Sequence, residues 1–486
     1  MRTGEKNDLY DPASNDFGRE NNELEYRSTK DSQSYNSTVN DSEKPKNNLY
    51  FGLYFFFVIL LFYSIHDLYA NEIIGGETGV NRIWVYISLF ACIVYTFCYS
   101  LYYHIAYQHL FPTGIMCLVF ILCWEIILYF GAYEDVMSMQ RTITRWNKLV
   151  IIAFSVLWVL LYNFFFYYHL QYKAVWKQTL IFVCVFFGFY LMYAYFAMTF
   201  SQERLNRMTV IGSYYILVFV PWLYFVPKLY RRIGLILILI VAVFSAKRGV
   251  IIALPLMLLN GYLVYFLNRK ASVKTIIFSI ITLLFFGITL AVANEYYEGR
   301  LLERFSEEEI SSGSGRRKMW TTLTTSFFTD TSLPVQITGH GIAATIGGLR
   351  TSSHNDWIGF LWDYGYVGFL FLLTFFLLLF RRLIWLIRKK SIYAPPYASM
   401  LTLMFMMTLY SVFYASHNSI FIFLFLGFVE ARLYFEEEEK QNRTIVQPVS
   451  NEYRQRIHRR RHRSSSNEHR SHKSSNQDGQ SNRRPE

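Results

Sequence analysis

Apolar residues in this chain come in blocks of about 20, and this spacing restricts the possible folds more than any other feature of the sequence. A helix of roughly 20 residues spans ~30 Å, the thickness of the hydrocarbon core of a bilayer. Within that core a helix satisfies its own backbone hydrogen bonds, which an irregular segment cannot do. A soluble protein would have difficulty burying 38 Tyr and 44 Phe in 486 residues. The sequence therefore predicts an all-α integral membrane protein.

We delimit about twelve such blocks, and each predicts a transmembrane helix. The expected spans are residues 49–66, 83–102, 109–132, 149–169, 178–200, 208–226, 233–245, 249–267, 275–293, 357–380, 398–416 and 419–435. Basic clusters at 228–232, 268–274 and 381–390 fall on one side of this bundle, which the positive-inside rule makes cytoplasmic. The basic stretch 139–148 would face the other side, so the count could change by one pair in the first half.

Polar tails flank the apolar blocks. Residues 1–47 are acidic and carry no core-forming pattern, so we expect a disordered cytoplasmic tail. A polytopic membrane domain would follow over residues 48–436. Residues 437–486 form a basic, low-complexity tail that contributes to the formal net charge of +12 and is also expected to be disordered and cytoplasmic. Its cations would be solvated or attracted to anionic membrane lipids. Because no folded nucleic-acid module accompanies them, nucleic acid is not an expected partner.

The cysteines give no sign of a metal or disulfide site. All five lie inside apolar blocks, without metal-ligand spacing in any loop, and are expected to be small packing residues. They are Cys92, Cys98, Cys117, Cys123 and Cys184.

One predicted outer loop, residues 294–356, is much longer than the other connections. Loops longer than about 15 residues are usually functional or disordered. Within it, residues 316–328 can form an amphipathic helix on the outer membrane surface, and residues 338–348 are rich in glycine. The apolar positions of that helix are Trp320, Leu323, Phe327 and Phe328.

The junction "FSAKRGV" at 244–250 interrupts an apolar run that is too long for one span. A tight outer turn between two helices would place Lys247 and Arg248 at the membrane edge. A cation at membrane depth is costly, by ~2.5–3.5 kcal/mol at a helix centre, so the pair requires either snorkelling or a function. Gly249 indicates that another group approaches the backbone closely at this point.

Cations and histidines would therefore collect on the outer face. An arginine guanidinium can bind two phosphate oxygens at once. A histidine that titrates near neutrality can accept a proton from an attacking hydroxyl. This set fits group transfer from a lipid-linked diphosphate to an alcohol. Its members are Lys247, Arg248, Arg300, Arg304, Arg316, Arg317, Lys318, His340, Arg350 and His354.

Simpler interpretations of the same residues stay open. The arginines of "SEEEISSGSGRRK" could pair with the glutamates beside them. "SSHNDW" is also a good helix start, with a serine or an asparagine as the cap of the following span, and Asn355 and Asp356 could cap the helix or orient His354.

Four short motifs resemble the bacterial O-antigen ligase and polymerase superfamily. "SHNDWIGFLWDYGYVGFL" resembles its His-Asn helix start, followed by an acidic residue and Gly-x-x-Gly. "FSAKRGVIIAL" resembles its Ser-x-x-Arg-Gly helix junction, "GSGRRKMWTTL" its Arg-x-x-x-Trp segment, and "ITGHGI" its Gly-x-Gly turn. The motifs occur in the family's order within residues 240–370.

The resemblance implies a C-type integral membrane glycosyltransferase that uses undecaprenyl-diphosphate-linked glycans and needs no metal or other cofactor. By motif, Arg248 and Arg316 would bind the diphosphate, and His354 would be the base or would orient the acceptor. The remaining candidates are expected to bind substrate: Lys247, Arg317, His340, Arg350, Asn355 and Asp363. Lys247 stands where the family commonly has a small or polar residue, and Asp363 where it commonly has glutamate.

The expected function is polymerisation of lipid-linked repeat units into capsular polysaccharide or exopolysaccharide, at the outer face of the bacterial cell membrane. Other polysaccharide-export proteins are possible partners of the cytoplasmic tails. Two alternatives remain: a ligase that transfers finished glycan to another acceptor, and a transporter or flippase of lipid-linked sugars. A transporter would usually show internal repeats and polar or broken helices; no repeat is visible, and Glu125 is the clearest charge within a span.

Overall fold

The computed structural model describes residues 48–65, 79–106, 115–130, 145–171, 176–203, 213–268, 273–306, 316–349, 353–411, 413 and 419–437. All regular secondary structure within these ranges is helical, with no strand, which confirms the all-α prediction. Two units, Met1–Val58 and Ile59–Glu486, can be distinguished, and the candidate site lies within the second. The predicted tails, 1–47 and all but the first residue of 437–486, fall outside the described residues, so the domain limits stay predictions.

The helices follow the apolar blocks. In chain order they are α1 (Asn48–Ser64), α2 (Gly79–Ala106), α3 (Ile115–Phe130), α4 (Arg145–Gln171), α5 (Trp176–Glu203), α6 (Tyr214–Leu217), α7 (Lys228–Phe244), α8 (Arg248–Asn268), α9 (Val273–Tyr296), α10 (Arg300–Glu303), α11 (Arg316–Thr329), α12 (Leu333–Thr338), α13 (Ala344–Leu349), α14 (Asp356–Arg388) and α15 (Ala394–Tyr410). A last helix covers residues 419–437.

Among the described residues, five helical segments are long and apolar enough to cross a membrane: Lys148–Phe166, Trp176–Thr199, Arg248–Asn268, Ile276–Tyr296 and Asp356–Arg388. This length and composition are those of a membrane-embedded protein. The count of about twelve spans, their sidedness and the outer position of residues 294–356 stay predictions.

A three-residue turn joins α7 to α8, as the sequence predicts for this junction. Ala246 within it has φ of 48°, a left-handed conformation that L-residues rarely adopt. The turn places Lys247 and Arg248 at the start of α8.

Helices α8 and α15 run antiparallel and are joined along their length. The Ser399 hydroxyl donates to the carbonyl of Met257 (2.9 Å), and the Asn260 amide donates to the Thr402 hydroxyl (2.9 Å). Near the opposite end, Asn268 donates to the carbonyl of Ser391 (3.2 Å). This pairing brings the first turn of α8 beside Tyr410, the last residue of α15.

The prediction of one continuous span over 208–226 is wrong for its described part. Residues from 213 onward form only the short α6 and a 3-10 turn, Pro221–Phe225. Pro221 has no N–H to donate to an α-helical hydrogen bond, and its ring crowds the preceding turn.

The expected span 357–380 lies within Asp356–Arg388, but the helix there is interrupted near its start. Gly365 has φ of 65° and ψ of −165°, and it breaks α14. The Trp357 ring lies 5.8 Å from the ring of Phe369 and 5.4 Å from that of Phe376, between centroids. A straight helix would hold residues 357 and 376 ~28 Å apart. Residues 356–364 therefore fold back against residues 366–376, and 366–388 form a separate helix.

Backbone contacts from α12 and the following turn stabilise this break. The N–H groups of His340 and Gly341 donate to the carbonyls of Trp362 (3.0 Å) and Asp363 (2.9 Å), which the break removes from helical hydrogen bonding. A Cβ at Gly365 would lie 2.5 Å from the nitrogen of Gly339. The two glycines thus allow backbone to pack on backbone.

Candidate functional site

His354 lies in a locked left-handed turn just before the folded-back segment. Its φ is 52°, which costs an L-residue roughly 1–2 kcal/mol. The hydroxyl of Ser353 donates to the carbonyl of Asn355 (2.7 Å) and accepts from its N–H (3.3 Å). Gly359 leaves room for that hydroxyl, because a Cβ there would lie 2.9 Å from it. The backbone of His354 is therefore held in this turn, and its side chain is half-buried.

The two residues after His354 have different roles. The carboxamide oxygen of Asn355 accepts from the N–H of Ile358 (3.2 Å), so Asn355 is the N-cap of α14. Asp356 is buried, and its Oδ2 accepts from the N–H of Phe413 (2.6 Å). Asn355 caps the helix, while Asp356 ties the start of α14 to the segment beyond α15.

Two predicted cations, Arg316 and Lys247, act on His354, and Arg248 acts on Arg316. Burial, and then the positive charges of Arg316 and Lys247, lower the pKa of the His354 imidazole to about 4. Burial and the charge of Arg248 likewise lower the pKa of the Arg316 guanidinium, while Tyr214 raises it. Arg316 thus links His354 to Arg248 through these electrostatic effects.

Each of the three cations is held by a specific contact. Arg248 donates to the carbonyl of Arg304 (2.9 Å), and Arg316 donates to the carbonyl of Tyr410 (3.2 Å). The Lys247 ammonium lies 4.8 Å from the centre of the Tyr214 ring, within cation–π range. All three side chains remain partly exposed.

Two of these cations occupy positions that helix stability does not favour. Arg248 is the first residue of α8 and Arg316 the first of α11, and neither helix has an acidic residue in its described first turn. The positive end of the helix dipole disfavours a cation there and favours an anion. Such a pair of helix starts, each with an arginine, suits a phosphate.

Helix α11 connects the arginine to the histidine. The predicted helix over 316–328 is confirmed with one residue more, and Leu323 and Phe327 are buried. The Trp320 indole donates to the carbonyl of Ser353 (2.7 Å). Phe328 is 55% exposed and lies about 100° around the helix from Phe327.

His340 and Asp363 are held at the break in α14. The His340 ring stacks on Trp362, with centroids 4.0 Å apart, and its Nδ1 lies 3.1 Å from the Trp362 carbonyl. Asp363 Oδ1 accepts from the N–H (2.7 Å) and the hydroxyl (2.5 Å) of Thr345. Both side chains thus fix the glycine-rich turn on α14.

Of the remaining predicted cations, Arg304 lies beside Arg248. Arg317 is exposed, and Arg300 is exposed and pairs with Glu298 (2.6 Å). Arg350 and the glutamates at 307–309 fall outside the described residues, so their pairing stays open.

The sequence analysis missed two tyrosines that shape the site. A Cβ at Gly249 would overlap the hydroxyl of Tyr214 and lie 3.3 Å from the Cβ of Tyr410. The close approach predicted from Gly249 is therefore confirmed, and Tyr214 makes it. Among 38 tyrosines, these two had no distinguishing local pattern.

The chain matches no protein-family model and no curated protein sequence.

Proposed function

We propose that this chain is a metal-independent membrane glycosyltransferase that joins lipid-linked oligosaccharide repeat units into a longer polysaccharide. One observation carries the proposal: the charges of Lys247 and Arg316 act on His354, the charge of Arg248 acts on Arg316, and the two arginines begin separate helices. The resemblance of four ordered motifs to the O-antigen ligase and polymerase superfamily supports it. The donor would be an undecaprenyl-diphosphate-linked glycan, at the outer face of a bacterial cell membrane that about twelve helices cross.

The chemistry follows from the charges. The diphosphate of the donor would bind the cations, and a hydroxyl of the acceptor glycan would attack the anomeric carbon. The bond between that carbon and the diphosphate oxygen breaks, and its electron pair remains on the diphosphate, where the cations stabilise it. His354 accepts the proton of the attacking hydroxyl.

Substrate binding would also activate the histidine. A pKa of about 4 leaves the imidazole neutral at pH 7 but makes it a weak base. A bound diphosphate would offset Arg316 and Lys247, which are two causes of the low pKa. The pKa of His354 would then rise toward neutrality when the donor is in place.

The test is glycan sizing in cells that carry Arg248→Ala, Arg316→Ala or His354→Ala, with membrane insertion verified. We expect single lipid-linked repeat units to replace long chains in all three. Arg300→Ala is the matched control, because that arginine is exposed and paired with Glu298. Unchanged chain length in the three variants would refute the proposal. Long chains that stay on the lipid carrier would instead identify a ligase.

A transporter of lipid-linked sugars is the second candidate. It is favoured by the break in α14 and by Glu125, which is 0% exposed and accepts from the hydroxyl of Tyr364 (3.2 Å) beside that break. Broken helices and buried carboxyls are typical of transport paths. Vesicles that flip substrate equally well with wild-type protein and His354→Ala, and catalyse no transfer, would support this candidate.

A further inference from the structure

The turn that carries His354 is attached to a different helix by one side-chain hydrogen bond. The indole N–H of Trp320, in α11, donates to the carbonyl of Ser353 at 2.7 Å. Ser353 immediately precedes His354 and, through its own hydroxyl, closes the turn around it. The position of the imidazole therefore depends on where α11 holds this carbonyl.

The same helix carries Arg316, the cation that acts on His354. Residues 316 and 320 are at positions i and i+4, so they lie on one face and one turn apart. One turn further, Leu323 and Phe327 pack with Trp362 of the folded-back segment. Helix α11 is thus fixed at one end and presents the arginine and the indole together at the other.

We propose that Trp320 is a positioning residue that sets the distance between the His354 imidazole and the Arg316 guanidinium. This inference rests on the proposed function for its consequence, because the proton acceptor and the diphosphate-binding cation must face opposite sides of the same anomeric carbon. It explains the spacing in "RRKMW", where Arg316 and Trp320 are four residues apart. One turn of helix then separates the side chain that binds the diphosphate from the side chain that positions His354.

Because the backbone of His354 is left-handed, its position depends strongly on the hydrogen bond from Trp320 to Ser353. An L-residue leaves that conformation readily unless its surroundings hold it. Without the indole, the Ser353 carbonyl loses its bond to α11, and the imidazole can move away from the cations. Trp320 does not touch the reacting atoms; it acts through Ser353 and His354.

The test is NMR titration of His354 in the purified full-length protein, with its signal among the 11 histidines identified by comparison with His354→Gln. Trp320→Phe keeps an aromatic ring but removes the N–H, and we expect the pKa of His354 to rise from about 4 toward that of a solvated histidine. Trp222→Phe is the matched control, since the buried Trp222 indole has no hydrogen-bond partner among the described residues. It should leave the His354 titration unchanged. An unaltered titration in Trp320→Phe would overturn the inference.

A second measurement needs no variant, in case Trp320→Phe fails to fold. In the unmodified protein, the indole proton of Trp320 should exchange slowly with solvent, and its chemical shift should follow the titration of His354. Rapid exchange would overturn the inference.

Activity separates this inference from the proposed function. Trp320→Phe should lower kcat about 10-fold, the order expected for one hydrogen bond, with KM nearly unchanged because the cations remain. If the wild-type protein catalyses no glycosyl transfer but His354 still responds to Trp320→Phe, the proposed function fails and the positioning role stands.

Discussion

Arg248 and Arg304 exchange side-chain hydrogen bonds with backbone carbonyls at the start of α8. Arg248 donates to the carbonyl of Arg304 (2.9 Å), and Arg304 donates to the carbonyl of Ala246 (2.7 Å), in the left-handed turn just before Arg248. Bonds with a charged donor contribute about 1.5–3 kcal/mol each. The pair therefore fixes both the turn and the direction of the Arg248 side chain.

Arg304→Ala should reduce glycan polymerisation about 10- to 100-fold, because the turn at Ala246 loses its charged donor while Arg248 remains. The measurement is the ratio of long chains to single repeat units in cells. Arg300→Ala, which removes an exposed arginine from α10 just before Arg304, should leave that ratio unchanged. Equal effects of the two variants would contradict the role given to Arg304.

Gly249→Ala should lower the unfolding temperature, because a Cβ at residue 249 would overlap the hydroxyl of Tyr214. Overpacking of this kind typically costs about 1–3 kcal/mol. Tyr214→Phe removes the hydroxyl, so the double variant should recover most of the loss. Gly287→Ala serves as the control, because nothing lies within 4 Å of a Cβ there. Failure of Tyr214→Phe to rescue would show that another contact is responsible.

Gly365→Ala should destabilise the protein more than Gly188→Ala. Gly365 has φ of 65°, and a Cβ would meet the nitrogen of Gly339 and the carbonyl of Ile337, each at 2.5 Å. Gly188 has open space around it. Thermal unfolding in detergent would measure the difference, and similar unfolding temperatures would contradict the tight packing at the break.

Anion binding should raise the pKa of His354. Inorganic pyrophosphate would offset the charges of Arg316 and Lys247, which lower the pKa of His354 to about 4. NMR titration with and without pyrophosphate would measure the rise, and Arg316→Ala should raise the pKa without the ligand. If neither pyrophosphate nor Arg316→Ala changes the pKa of His354, the cations do not act on His354.

The low pKa of His354 also has a consequence for stability. Because the folded-state pKa lies below the unfolded value of about 6.5, protons bind the unfolded chain more strongly. The contribution of neutral His354 to the free energy of unfolding is fully present above pH ~6.5 and decreases as the pH falls toward 4. His354→Gln should make the unfolding temperature depend less on pH between about 4 and 6.5. If the unfolding temperature of the variant depends on pH as steeply as that of the wild type, other titratable groups cause the dependence.

The sequence predicted the features that depend on local pattern. Apolar blocks predicted the all-α class, and helical spacing predicted α11, because both follow from neighbours along the chain. The grouping of Arg248, Arg316 and His354 could be predicted only from the order of their motifs. The break at Gly365 could not be predicted, since it depends on backbone contact with Gly339 far away in sequence. His340 has the same side chain as His354, and its stacking on Trp362 could not be predicted from the sequence.

The most direct test of the account is transfer by purified protein supplied with undecaprenyl-diphosphate-linked repeat units extracted from its own cells. The wild type should produce longer lipid-linked glycans and release one undecaprenyl diphosphate for each bond formed. His354→Gln should bind the donor but form neither product, and Arg300→Ala should form both. Equal product formation by wild type and His354→Gln would show that His354 does not accept the proton in glycosyl transfer.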